Sequence, residues 1–146
     1  MCLVTWMTAS SVLLIGWYGL LYVGVPRFCG RVRFDEREDL LNHLLLVALL
    51  LDLALQITGW TYADIGMLII LVVWGALQFR AHWLPYLRGA STQQVRSYYR
   101  AFGDNLYLFR NTGNRILPDA YHTVMHVLMV VTFLTTLLQA LGVGLR

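Results

Sequence analysis

The sequence predicts an all-α integral membrane protein, a four-helix bundle with an additional amphipathic helix in the loop between spans three and four. Three observations carry that expectation. Of the 146 residues 58% are hydrophobic and 13% charged, whereas an average soluble domain is about 45–50% apolar and about 25% charged. The mean hydropathy of +0.61 is too high for a small soluble fold, which leaves a large share of its surface in water. The apolar residues also gather into four stretches near the roughly 20 residues that a helix needs to cross bilayer hydrocarbon. The composition excludes a disordered chain, which is charge-rich and apolar-poor. With 12 Gly, 3 Pro and 2 Cys it excludes collagen-like and disulfide-scaffold proteins as well. One four-span membrane domain, residues 1–146, is expected.

Span one covers about residues 3–25 and is closed by Pro26. It has no basic leader and no small-residue cleavage site, so it reads as a span rather than a signal peptide. Span two covers about 40–59, opening after the acidic run Asp35, Glu36, Glu38 and Asp39. Span three covers about 65–83 and ends before Pro85; span four covers about 119–141, with Pro118 at a first-turn position. Most Trp and Tyr residues fall near span ends, as an aromatic belt requires. Between spans three and four, about 91–110, Val95, Tyr98, Tyr99, Phe102, Leu106 and Phe109 recur at helical spacing, and Ser91 with Gln94 forms a capping-box pattern. With Arg96 and Arg100 on the other side, this predicts an amphipathic helix at the membrane surface or against a partner protein, interrupted at Gly103 and Asp104.

Arginines orient the spans. Arg27, Arg31, Arg33 and Arg37 lie between spans one and two, and Arg80, Arg88, Arg96, Arg100, Arg110 and Arg115 lie at or between spans three and four. The N-terminus and the turn at 61–64 carry none. The positive-inside rule then puts both loops inward and both termini on the outer side. All 11 basic residues are Arg, a bias that fits a GC-rich genome, and the expected location is a bacterial cell membrane. The arginines border apolar spans instead of forming a solvated basic domain, so membrane lipid, and not nucleic acid, is the expected partner. Cys2 and Cys29 fall on opposite sides of the bilayer, and no disulfide is expected.

The chemistry-bearing residues gather at the inward ends. His82 ends span three, while Glu36, Asp39 and His43 on span two, and Asp119, His122 and His126 on span four, each share one helical face. If the two stripes face each other, up to six ligands converge on a transition metal such as Fe, Zn or Mn. Met125 and Met129 beside His122 and His126 suggest copper instead, and His43 paired with His122 or His126 suggests the axial ligands of a haem b. The acidic residues are also explained as helix N-terminal caps. Asp52, with Gln56 one turn on, is an intramembrane acid suited to proton or ion handling, or to a hydrogen bond with Gln56, Thr58 or another helix. It falls on the face opposite His43.

No P-loop, HExxH, CxxC or GxSxG pattern is present. Three functions are therefore expected in turn. The first is a small accessory subunit of a larger membrane complex, redox-linked through the histidine cluster and packed against other membrane subunits or itself. The second is a metal- or haem-binding membrane oxidoreductase, and the third a small oligomeric transporter with Asp52 as coupling acid.

Overall fold

A computed structural model of the chain describes residues 2–25, 28, 36–108 and 115–142. The expectations for Cys29, for Arg27, Arg31, Arg33 and Asp35, and for Phe109 and Arg110 fall outside these residues. The described chain is all-helical, with no β-strand. Its helices are α1 (Cys2–Val23), α2 (Glu36–Ile57), α3 (Ala63–Gln78), α4 (Leu84–Arg88), α5 (Thr92–Phe102) and α6 (Ala120–Ala140), and a π-helical turn at Phe79–Trp83 joins α3 to α4.

Four segments are long and apolar enough to cross a membrane: Trp6–Val23, Glu36–Ile57, Ala63–Arg88 and Ala120–Ala140. The distribution of polarity agrees with that reading. Leu13, Leu51, Ile69 and Val130 face outward, while Ser11, Asp52, Gln56, Thr132 and Thr136 are buried. Water would reverse that order. Hydrocarbon favours it, because aliphatic side chains cost nothing against lipid and polar ones must find partners between helices.

Each span turns one stripe inward. Met7, Ser11, Leu14, Tyr18 and Leu21 form it on α1, Leu49, Asp52 and Gln56 on α2, Met67, Leu71 and Trp74 on α3, and His122, Met125, Met129, Thr132 and Thr136 on α6. These are the three- and four-residue steps of a helix face. α1 packs on α2 and α6, and α3 packs on α2 and α6. α2 and α6 do not pack on each other, so they stand diagonally across the assembly.

Hydrogen bonds tie the helices at two levels. Trp17 Nε1 donates to the Tyr121 carbonyl (3.1 Å), and the Tyr121 hydroxyl donates to the Tyr18 carbonyl (3.2 Å). Nearer the chain termini, the Thr132 hydroxyl donates to the Ser10 carbonyl (3.2 Å), and the Ser10 and Thr135 hydroxyls are 2.9 Å apart.

Three boundaries differ from expectation. The third span does not stop before Pro85 but continues to Arg88. Proline lacks an N–H and crowds the carbonyl of the preceding turn. The π turn at Phe79–Trp83 comes immediately before it, leaving Pro85 in the first turn of α4. The helix after Ser91 carries the full capping box, with Gln94 N–H on the Ser91 hydroxyl and the Gln94 side chain on Ser91 N–H, yet it ends at Phe102. Beyond Gly103 the backbone turns away: Leu106 N–H donates to the Phe28 carbonyl, and Ala120 N–H donates to the Leu106 carbonyl. Pro118 precedes the cap of α6 rather than opening its first turn.

Candidate functional site

The site lies at the end of the spans where Arg80, Arg88, Arg96, Arg100 and Arg115 are found, here called the basic end. Its anchor is Asp119, which is completely buried. As N-cap of α6 it accepts the His122 backbone N–H on Oδ1 (2.8 Å). Its Oδ2 takes three further contacts: His122 Nδ1 at 2.9 Å, the Asn105 amide at 2.8 Å and the Tyr98 hydroxyl at 3.2 Å. One carboxylate therefore joins α5, the segment after it and α6. Burial pushes this carboxyl upward, but hydrogen bonding and charge from His122, with the Asn105 amide, outweigh it, so Asp119 titrates below the usual aspartate value. The Tyr98 and Tyr107 hydroxyls are pushed up, first by burial and then by the Asp119 charge.

With Nδ1 committed to Asp119, His122 has Nε2 left for a ligand. A histidine whose proton position is set by a buried carboxylate is the arrangement used to accept protons at the opposite ring nitrogen.

His126, one turn on, is spent differently. The Trp83 indole, which can only donate, gives its N–H to His126 Nδ1 (3.1 Å), and Nε2 faces Gln78 Oε1 at 3.4 Å. That pattern requires the neutral ring with its proton on Nε2. Both nitrogens are occupied within the protein.

His82 is the residue that the sequence placed at the basic end but not in the site. It is 6% exposed, and its Nδ1 is buried without a hydrogen-bond partner. Its ring lies 4.2 Å from that of His122 and 5.7 Å from that of His126, centroid to centroid, with the Tyr98 ring at 5.5 Å. The π turn accounts for the placement. On a regular helix a residue eight positions after Trp74 is rotated from it by about 80°. The wider turn removes much of that rotation and brings His82 onto the buried face. Pro85 was the available signal in the sequence.

His82 and His122 open on a crevice of about 940 Å³ between α2 and α3, with α5 at its basic end. Leu45 and Ile70 line its depth, and Arg80, Gln94, Ser97 and Arg100 line its polar part. Four of its wall residues, Leu41, Ile69, Val73 and Leu77, are 56–60% exposed. On a membrane-spanning helix that means the crevice opens sideways into hydrocarbon.

The other expected site residues lie elsewhere. His43 is exposed; its Nδ1 sits 2.7 Å from the Asp39 carbonyl and 3.5 Å from the Asp39 carboxylate, and its ring packs on Tyr22 at 4.9 Å. Glu36 is exposed at the start of α2. α2 and α6 do not pack on each other and the His43 ring lies against Tyr22, so the structure does not gather Glu36, Asp39 and His43 into one cluster with Asp119, His122 and His126. Among the described residues no group of three or more His, Cys, Asp or Glu is placed to hold a metal ion. Met125 and Met129, considered as copper ligands beside His122 and His126, pack in the hydrophobic core with Leu14, Leu71 and Trp74.

Asp52 is separate from all of these. It is 5% exposed and accepts the Gln56 amide on Oδ2 at 2.7 Å, and the Ser11 hydroxyl donates to Gln56 Oε1 at 3.3 Å. Thr58 donates instead to the Leu55 carbonyl. Gly66 on α3 makes room for the acid, since a methyl group there would lie 2.6 Å from Asp52 Oδ1. The carboxyl is thus tied through Gln56 to Ser11 on α1 and lies close against α3 at Gly66.

The chain shows no significant match to any protein-family model, to any curated protein sequence or to any solved structure.

Proposed function

We propose that this is an integral membrane protein that binds a membrane-soluble molecule in the crevice between α2 and α3 and uses the Asp119–His122 pair to take a proton from its polar end. The observation that carries the reading is the pairing of two differently prepared imidazoles on the crevice wall. His122 has its proton position set by a buried carboxylate. His82 is buried beside it with an orphaned nitrogen, an arrangement that costs stability and is commonly kept for a purpose.

In this reading a ligand O–H gives its proton to His122 Nε2, and the bonding electron pair stays on the ligand oxygen. Asp119 remains ionised and stabilises the imidazolium. Its four hydrogen bonds hold the ring in register. His82 supplies a second polar contact to the same group, and α5, with Tyr98 and Phe102 against the histidines, lies as an amphipathic cover over the basic end. By the positive-inside rule that end faces the cytoplasm. A role as accessory subunit of a larger complex is a second proposal resting on size and composition, tested by co-purification in mild detergent.

Native mass spectrometry of the full chain in mild detergent tests the main reading. The wild type is expected to carry a bound amphiphile, and Leu45→Trp, which fills the crevice, to release it. His122→Phe is expected to bind the same amphiphile more weakly, because the acceptor for its O–H proton is gone. An empty wild type contradicts binding, and equal affinity of wild type and His122→Phe contradicts the proton transfer.

A further inference from the structure

The crevice has two chemically distinct parts. Along its length it is aliphatic and open to lipid, while at the basic end Arg80 comes from the π turn and Arg100 from α5. Neither guanidinium makes an ion pair within the described residues. Among the described residues two guanidiniums and one carboxylate, Glu38, line the same space. Gln94 and Ser97 add neutral hydrogen-bonding groups to the lining. Two unpaired guanidiniums beside an apolar channel are complementary to a group with several anionic oxygens on a hydrocarbon tail. Guanidinium matches phosphate in geometry through paired N–H donors, and its hydration is weak enough to work at a membrane edge. A volume near 940 Å³ lies at the upper end of the range for small-molecule sites, and the exposed wall lets the rest of a long tail pass into the bilayer.

We infer that the ligand of this crevice is a phosphate-bearing lipid, with its tail between α2 and α3, its phosphate between Arg80 and Arg100, and the polar atoms next to the phosphate facing His82 and His122. The inference rests on the crevice-binding reading above and adds the chemical class of the ligand. It also accounts for α5. Arg100 reaches the phosphate from the same short helix whose Tyr98 holds Asp119, so headgroup binding and the alignment of His122 are set by one element.

The test uses the full-length protein in mild detergent, titrated with dioleoyl phosphatidic acid and with dioleoylglycerol, which has the same tails without the phosphate. Phosphatidic acid is expected to bind roughly tenfold or more tightly, as charge-assisted hydrogen bonds imply. The double variant Arg80→Gln/Arg100→Gln should erase the difference while leaving dioleoylglycerol binding unchanged. Arg88→Gln, an exposed arginine off the crevice, should change nothing. Equal affinity for the two lipids, with both lost in Leu45→Trp, overturns the phosphate assignment and leaves the crevice reading standing. A preference that survives Arg80→Gln/Arg100→Gln overturns it too, since attraction to the whole basic surface then suffices. Displacement of phosphatidic acid by inorganic phosphate at the same concentration identifies a free-phosphate site and overturns the lipid assignment. Absence of saturable binding by either lipid removes the crevice reading and this inference with it.

Discussion

Asp119→Ala is expected to destabilise the protein by about 3–5 kcal/mol, because it removes a helix cap and an acceptor that several buried donors share. The substitution removes the N-cap of α6, which alone is worth about 1 kcal/mol. It also strands the His122 ring and the Tyr98 hydroxyl in a buried site, and each unsatisfied group adds a penalty of about 1–3 kcal/mol unless the site relaxes. Asp119→Asn keeps an oxygen for the cap but turns an NH₂ toward donors, so it should recover only part of the loss. Thermal unfolding in detergent, followed by circular dichroism, checks both. The same carboxylate sets a pH dependence. Because its folded value is depressed, its contribution is full above the unfolded aspartate value of about 3.9 and is lost as pH falls through the folded one. Wild-type stability should therefore drop in that acid range, and Asp119→Ala should flatten the drop. An unchanged melting temperature in Asp119→Ala would remove Asp119 as the anchor of the site.

His82→Leu should do the opposite. It replaces a buried imidazole that has an orphaned nitrogen with an apolar side chain, relieving a penalty on the order of 1 kcal/mol, so the protein should melt at the same temperature or higher. It should nonetheless bind its ligand more weakly, because the second polar contact to the ligand is gone. His126→Leu provides the contrast, because it breaks the bonds to Trp83 and Gln78 and should destabilise. If His82→Leu destabilises as His126→Leu does, His82 is a packing residue and its role in the site falls.

The pattern of what the sequence revealed follows from what periodicity encodes. Four apolar stretches and the Ser91–Gln94 cap were legible because span length and capping are local properties. Asp119 was legible as a cap for the same reason, and its spacing from His122 put the two on one face. The pairing of helices was not legible. Two polar stripes with matching spacing look complementary in a sequence, but nothing local says that α2 and α6 stand diagonally, so His43 and His122 were expected together and are apart. His82 was missed because helical arithmetic assumes a regular helix, and the turn before Pro85 is not one. The crevice has no sequence signature at all, since its lining residues come from helices far apart in the chain and become neighbours only in three dimensions.

Photocrosslinking tests the occupancy of that crevice most directly. A phosphatidic acid analogue with a diazirine in its acyl chain, incorporated with the protein into lipid nanodiscs, labels whatever its tail lies against. The account predicts labels concentrated on Leu45, Ile70 and Val73, suppressed in Leu45→Trp. Labels spread evenly over lipid-facing residues such as Leu13 on α1 and Val130 on α6, with no excess in the crevice, would contradict it.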